Sequence, residues 1–147
     1  TVDGAVCCLD SLNHITDYSA FCTAISKVSL FLEKDRLFIF DLNTVFKHKH
    51  ILADNTYVID REDVYCVWQN ETDPETLETD ISLDFFIKDG DVYRRSGEEF
   101  SERAYSDRQI DEALISAGLE KVAVYEDMTL SPPKDTTERA IYVTRKI

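Results

Sequence analysis

Polar side chains that could bind a ligand or transfer a proton follow two short apolar runs of this sequence. Asp10 and His14 come after the run GAVCCL at residues 4–9, and Asn43 comes after the run LFIFDL at residues 37–42. Histidine has an unperturbed pKa near neutrality, so His14 is the candidate general base, the group that takes a proton from a reacting atom. The alternative, that His14 caps or packs on the helix that follows it, stays open from the sequence alone.

The neighbouring polar residues and the cysteines also allow a structural interpretation. Asp10 and Asn13 are of residue types that commonly form turns, and for Asn13 we favour that interpretation. The four cysteines of the chain show no CxxC pair and no histidine spacing typical of zinc, so we predict no metal site. Cys7 and Cys8 are expected on opposite faces of a strand, as small buried thiols in a reducing compartment.

A strand, a helix and a second strand would bring the polar residues to one edge of a sheet. The run at residues 4–9 suits a strand buried on both faces. Apolar residues then recur at helical spacing from residue 21 to residue 32, with Thr16 or Asp17 as the N-cap. With the second strand at residues 37–42 this is a βαβ unit, which requires parallel strands and a right-handed crossover. An open α/β sheet binds its ligand at the carboxyl ends of such strands.

The pattern changes to antiparallel strands between residues 56 and 105. Apolar and polar residues alternate there, and the sequence KDGD at residues 88–91 is a hairpin signal. We expect a β-meander. Most of its many aromatic residues are expected to form its own core and cross-strand pairs.

A helix and two strands complete the chain. Ser106 and Gln109 form a capping box that begins the helix, and Gly118 suits the position after its last turn. Residues 119–125 and 140–143 are the last two strands, joined by a loop with two prolines that is too long for a tight turn. The order is β, α, β, a meander, α, β and β, which predicts an α/β fold.

Composition narrows the classes of partner. A formal net charge of −13 repels phosphate backbones and anionic lipid surfaces, so we expect no nucleic acid and no membrane as partners. The basic residues at 47–50 and 94–95 are short clusters, for which we predict a solvated loop or strand face. The apolar runs are far shorter than the roughly 20 residues of a membrane span, and we expect a cytoplasmic protein.

These elements and several of their sequences resemble the C-terminal half of a class I S-adenosylmethionine-dependent methyltransferase. GAVCCLDSLNHI is similar to the fourth strand of that fold and the loop after it, and LFIFDLNT is similar to the fifth strand. LEKVAVYED and ERAIYVTRK are similar to its sixth and seventh strands. The segments VWQNETDPET, FFIKDGDVYRR and EEFSERAYS resemble the insert of small soluble bacterial members. The resemblance covers essentially the whole chain.

The resemblance implies a single partial domain, the C-terminal half of a seven-stranded Rossmann-like methyltransferase sheet with an inserted antiparallel β-meander. Residues 1–53 would be the βαβ unit of the core sheet. Residues 54–105 would be the substrate-side insert, and residues 106–147 the final helix and the terminal strand pair.

The resemblance also implies S-adenosylmethionine as the cofactor of the complete enzyme and a small molecule as the methyl acceptor. His14 would face the reacting methyl group or the acceptor. The residues expected beside the methionine part of the cofactor are Cys8, Leu9 and Asp10. The predicted substrate-binding residues are Asn43, Arg103 and Tyr105. Because the sulfonium is already activated, the protein mainly positions the acceptor and removes its proton.

The sequence departs from the family at three points. Phe100 stands where the family has a histidine, so a role for that histidine does not carry over. Lys34 and Asp35 stand where it has a Pro-Gly turn, which is a change of turn chemistry. None of the four glycines lies in a glycine-rich turn between a strand and a helix, where backbone would approach the cofactor. The cofactor-binding N-terminal half is therefore expected to precede Thr1, and this chain alone is expected to be inactive.

Two further expectations concern partners and alternatives. Without the preceding strands, residues 5–9 would expose an apolar edge, and we expect pairing through it, for example in a homodimer. The alternative is a non-catalytic binding or assembly module derived from the same fold. Whether the polypeptide naturally starts near Thr1 distinguishes the two hypotheses. A nucleic-acid methyltransferase is disfavoured by the charge and by the sequence LDSL at residues 9–12, where such enzymes have an Asn/Asp-Pro-Pro-aromatic motif.

Overall fold

The first two strands run parallel, as the two apolar runs predict. In the computed structural model, which describes residues 1–147, β1 (Val2–Cys7) pairs in parallel with β2 (Leu32–Asn43). The crossover helix α1 (Tyr18–Phe31) lies between them in the chain, and the Asp17 carboxylate caps it by accepting a first-turn N–H at 2.7 Å. The predicted βαβ unit is confirmed.

The predicted antiparallel meander is present and forms a sheet of its own. Its strands each run antiparallel to the next. They are β3 (Thr56–Asp60), β4 (Val64–Thr72), β5 (Glu78–Asp89) and β6 (Val92–Arg103). Gly90, with φ 62°, turns the chain between β5 and β6, so the hairpin signal is confirmed. The meander is a separate sheet and adds no strand to the first sheet.

The C-terminal elements complete the first sheet. Helix α2 (Asp107–Ser116) begins at the predicted capping box, in which the Ser106 hydroxyl accepts the Gln109 N–H at 3.3 Å. Strands β7 (Leu119–Glu126) and β8 (Arg139–Lys146) are antiparallel, and β8 inserts between β2 and β7. The sheet order is therefore β1-β2-β8-β7, and the carboxyl ends of the parallel strands lie beside the start of β8.

One face of the first sheet carries the main hydrophobic core. Phe38, Phe40 and Leu42 alternate along β2 toward that face, and each is no more than 2% exposed. They share one cluster of buried residues with Phe21 of α1 and Leu114 of α2. Burying apolar side chains of this size stabilises the fold by about 1.5–3 kcal/mol each, so this layer holds β1 and β2 firmly in place.

Strand β1 is an edge of the first sheet, and its Val6 side chain is 68% exposed. Because an exposed apolar edge is a template for pairing, we expect the chain to sediment as more than a monomer at high concentration. An edge lysine blocks such pairing, so Val6→Lys should return the chain toward its monomer mass of 16.9 kDa. Val58→Lys on β3, an edge of the other sheet, is the matched control. A wild-type chain that stays monomeric at high concentration would contradict this expectation.

Three expectations are wrong in whole or in part. Strand β1 is not buried on both faces: its residues are exposed or partly buried, because it is an edge strand with no neighbour on its outer side. The basic segment 47–50 forms a π-helical turn (Lys47–Leu52) in which His48 is 0% exposed, whereas Lys49 and His50 are exposed as predicted. The basic residues 94–95 lie on an exposed part of β6, as predicted. Cys8 is exposed rather than buried, because β1 ends at Cys7 and the alternation between sheet faces stops with it.

No helix of the structure combines the length and the apolar character that crossing a membrane requires.

Candidate functional site

The ends of β1, β2 and β6 meet in one polar cluster. Asn43, the last residue of β2, donates from its side-chain amide to Asp10 Oδ2 at 2.8 Å and to Glu102 Oε2 at 3.2 Å. Asp10 follows β1, and Glu102 lies one residue before the end of β6. Asn43 is 3% exposed and Glu102 5%, so their hydrogen bonds compete little with water. The structure thus brings Asp10 and Asn43 together and adds a carboxyl from the meander.

His14 lies on the open side of this cluster. It ends a short 3₁₀ turn (Ser11–His14), and its Nε2 atom is 3.6 Å from Glu102 Oε1, with 46% of the side chain exposed. Its ring centroid is 5.2 Å from that of Phe100 on β6. Asp17, not His14, caps α1. The imidazole of His14 faces Phe100 and Glu102 of β6 instead. A half-exposed histidine backed by a carboxyl can accept a proton from a molecule bound beside it.

Glu102 is a buried acid in this site. Desolvation by burial raises the pKa of its carboxyl, and the negative charge of Asp10 raises it further. The hydrogen bond from Asn43 and the neighbouring His14 and Lys47 act in the opposite direction without cancelling the shift. Glu102 therefore holds a proton more readily than an exposed glutamate does.

Two carboxylates near the site share one guanidinium group. Arg139, the first residue of β8, donates from NH1 to Asp41 Oδ2 at 2.8 Å and from NH2 to Asp10 Oδ1 at 3.0 Å. Burial disfavours the charged guanidinium, but the hydrogen bond to Asp41 and the charges of both carboxylates together raise the pKa of Arg139. The cation therefore stays charged and neutralises much of the negative charge at the end of β1.

Asn13 fixes the 3₁₀ turn in place. It is 0% exposed, and its side-chain oxygen accepts the Asn43 N–H at 2.9 Å. Its side-chain amide donates to the carbonyl of Asn43 at 3.2 Å and to that of Arg103 at 2.9 Å. Asn13 thus ties the turn to β2 and β6 at once, which is more than the turn-forming role predicted from its residue type.

Arg103 and Tyr105 fasten the segment that follows His14. The Arg103 guanidinium donates to the Thr16 carbonyl at 2.9 Å and lies 5.5 Å from the centre of the Tyr105 ring. Tyr105 is 3% exposed, its hydroxyl donates to the Ile15 carbonyl, and burial raises its pKa to about 12. Both residues hold the backbone behind the site, and their role as substrate-binding residues stays a prediction.

The predicted cofactor-binding residues follow the end of β1 directly. Cys8 is exposed and Leu9 is 75% exposed, while Asp10 is turned inward to Arg139. On the helix-covered side, a cleft of about 680 Å³ opens at the carboxyl end of β2, and both Asn43 and Tyr105 line it. The carboxyl ends of β1 and β2 therefore face solvent at Cys8 and Leu9 and face the cleft at Asn43.

The cluster also has the donor types of a cation site. One ligand atom each from Asp10, His14 and Glu102 can be chosen so that all lie within 4.8 Å of one another. Asp10 is already paired with Arg139, however, and Glu102 already accepts a hydrogen bond from Asn43. The absence of a metal site stays a prediction.

The sequence analysis missed Asp41, Glu102 and Arg139. Asp41 gave a signal, because a carboxylate inside an otherwise apolar strand requires a buried partner. Glu102 lies two residues after Phe100, and alternation along a strand places both on the same face. Arg139 carries no local signal, since only the long-range pairing of β8 with β2 brings it to the site.

Comparisons with known proteins agree with this architecture. No protein-family model matches the chain. It is 26% identical over 144 residues to "Putative methyltransferase YqeM" of Bacillus subtilis, an alignment that covers 98% of this chain and 58% of that protein. The crystal structure of an S-adenosylmethionine-dependent methyltransferase from Clostridium acetobutylicum superposes with a TM-score of 0.92 at 29% identity, over 99% of this chain and 58% of that one.

A more distant structure shows the same fold. CalS10, an amino pentose methyltransferase from Micromonospora echinaspora solved with S-adenosylmethionine bound, matches with a TM-score of 0.76 at 16% identity, over 100% of this chain and 59% of that one. The chain therefore has an α/β methyltransferase-like fold with one mixed and one antiparallel sheet. It spans less than two thirds of the length of each of these proteins.

Proposed function

We propose that this chain is the substrate-side, C-terminal part of an S-adenosylmethionine-dependent methyltransferase that acts on a small molecule. The observation that carries the proposal is the polar cluster of Asp10, His14, Asn43 and Glu102 at the carboxyl ends of β1 and β2. An open α/β sheet binds its ligands at that edge. The similarity to the clostridial methyltransferase supports the proposal over 99% of the chain.

The cofactor site would be shared between this chain and an N-terminal part. In this chain the segment after β1 offers an exposed Leu9 and the backbone around Asp10, which fit one side of an elongated ligand. The sequence holds no glycine-rich turn for the rest of the cofactor. Cys8, Leu9 and Asp10 would therefore border the methionine part, and bound S-adenosylmethionine would supply the activated methyl group.

In the proposed reaction His14 acts as the general base. Bound S-adenosylmethionine would supply an already activated methyl group, and the acceptor would give up a proton as it takes that group. The proton of the acceptor passes to the exposed His14 imidazole, whose Nε2 faces Glu102 Oε1 at 3.6 Å. The Glu102 carboxyl at this distance would keep the ring turned toward the acceptor.

A small molecule is the proposed acceptor class. The net charge of −13 argues against a nucleic acid. CalS10, described as an amino pentose methyltransferase, supports a small acceptor by fold similarity.

The test begins with the polypeptide purified from its native source. We expect an intact mass above the 16.9 kDa of this chain by about one hundred residues, the size of a further half-domain. Calorimetry should then show S-adenosylmethionine binding to that protein and none to the 147-residue chain. Transfer of labelled methyl to members of a small-molecule panel completes the test. A native mass of 16.9 kDa without cofactor binding would contradict the proposal and support a non-catalytic binding or assembly module.

A further inference from the structure

The turn after β1 holds two consecutive residues in the left-handed region of backbone conformation. Leu9 has φ 61° and Asp10 has φ 50°, values that residues with a Cβ atom rarely adopt. Neither position is a glycine, the residue that adopts this conformation without strain. Contacts from elsewhere in the chain must therefore hold the turn in shape.

The Asp41 carboxylate supplies the first of these contacts. Its Oδ2 atom accepts the Leu9 N–H at 3.1 Å, and its Oδ1 atom accepts the Asp10 N–H at 2.9 Å. Asp41 is 9% exposed, so water competes little for these hydrogen bonds. One carboxylate therefore holds two consecutive amides of the turn.

Arg139 supplies the second contact. Its planar guanidinium reaches Asp41 Oδ2 with one nitrogen and Asp10 Oδ1 with the other. This two-pronged contact, the guanidinium fork, holds the Asp41 carboxylate against the turn and holds the Asp10 side chain at the same time. We call Asp41 and Arg139 the turn clamp.

We propose that the turn clamp positions Leu9 and Asp10 for the cofactor and so sets the cofactor affinity of the enzyme. This inference rests on the proposed function, in which Leu9 and Asp10 border the methionine part of the cofactor. The clamp residues are positioning residues, since they act through the turn. Without them the turn relaxes and must be ordered again when the cofactor binds, which weakens binding more than it slows the chemical step.

The first test is steady-state kinetics on the full-length enzyme. Asp41→Ala should raise the KM for S-adenosylmethionine about tenfold while kcat changes less than about twofold. Arg139→Ala should act in the same direction, and Arg139→Lys should recover part of the loss, because lysine keeps the charge without the fork. Arg145→Ala is the matched control, since Arg145 lies on the same strand in an exposed pair with Glu120.

A glycine substitution separates positioning from general loss of stability. Asp41→Ala should raise the KM for the cofactor less when position 9 is glycine than when it is leucine, because glycine adopts a positive φ without help from a carboxylate. Each comparison is made within one background, Leu9→Gly or wild type, so the loss of the leucine side chain beside the cofactor cancels. A protein that is merely destabilised would show the same increase in both backgrounds, and equal increases overturn the clamp.

Hydrogen exchange on the same proteins gives a readout that does not depend on activity. The amides of Leu9 and Asp10 should exchange at least about tenfold faster in Asp41→Ala than in Arg145→Ala. Unchanged exchange, or an unchanged KM in an active enzyme, overturns the clamp and leaves the proposed function standing. A wild-type enzyme that binds no S-adenosylmethionine overturns the proposed function and the clamp's role toward the cofactor with it, whatever the exchange rates show.

Discussion

Replacing His14 by asparagine should lower kcat for methyl transfer in the full-length enzyme by about 100-fold or more, while the KM for the cofactor changes little. The expectation follows from the position of the imidazole, which is half exposed at the strand ends and has Glu102 3.6 Å behind it. Asparagine keeps a polar side chain of similar length but cannot take up the proton of the acceptor. The measurement is the initial rate at saturating cofactor and acceptor.

The control for this change is His50→Asn, which removes an exposed histidine outside the polar cluster. It should leave kcat within about twofold of wild type. Glu102→Gln should slow the reaction less than His14→Asn does, because glutamine keeps the shape and the hydrogen-bonding capacity of the side chain. If His14→Asn were as fast as wild type, His14 would not be the base, and the proton would leave by another route.

The elements that the sequence predicts well are those with a strong local signal. The helical spacing of apolar residues and the Asp17 cap predict α1, and the capping box of Ser106 and Gln109 predicts α2. The KDGD turn predicts the longest hairpin of the meander. The pairing of β8 between β2 and β7 has no such signal, because it joins segments about a hundred residues apart and depends on which edges remain free.

The residues of the candidate site likewise differ in how well the sequence predicts them. Asp10, His14 and Asn43 could be predicted together because parallel strands end at one edge of their sheet and these residues follow the strand ends. Glu102 could not be predicted as part of the site. Alternation along β6 predicts the face of the strand on which Glu102 lies, but not which element packs against that face. Its contact with His14 arises only from the folding of the meander back over the 3₁₀ turn.

His48 is the clearest case in which local composition misleads. It stands among Lys47, Lys49 and His50, a basic segment that predicts a solvated surface, yet its ring is 0% exposed. Its Nδ1 atom lies 2.9 Å from the hydroxyl of Thr79 on β5. A buried imidazole is tolerated when it is neutral, and desolvation accordingly lowers the pKa of His48 to about 4.

The free energy of unfolding should therefore fall by roughly 3 kcal/mol through His48 alone as the pH drops from 7 to 4. The pKa of His48 in the folded chain, about 4, lies below the ordinary histidine value of 6.5. Between these two values the unfolded chain binds a proton that the folded chain does not, so acid favours unfolding. Urea titrations at several pH values, followed by the fluorescence of the single tryptophan, measure this slope.

The decisive comparison is between two single substitutions in the same segment. His48→Asn keeps a donor near Thr79 but does not titrate, so its stability should depend on pH less steeply than that of the wild type between pH 6.5 and 4. His50→Asn removes an exposed histidine and should keep the wild-type slope. Carboxylates that titrate in the same range contribute equally to all three proteins, so the difference in slope isolates His48. Equal slopes in His48→Asn and wild type would mean that His48 binds its proton as readily in the folded chain as in the unfolded one, and that its burial is relieved by a local opening of the turn.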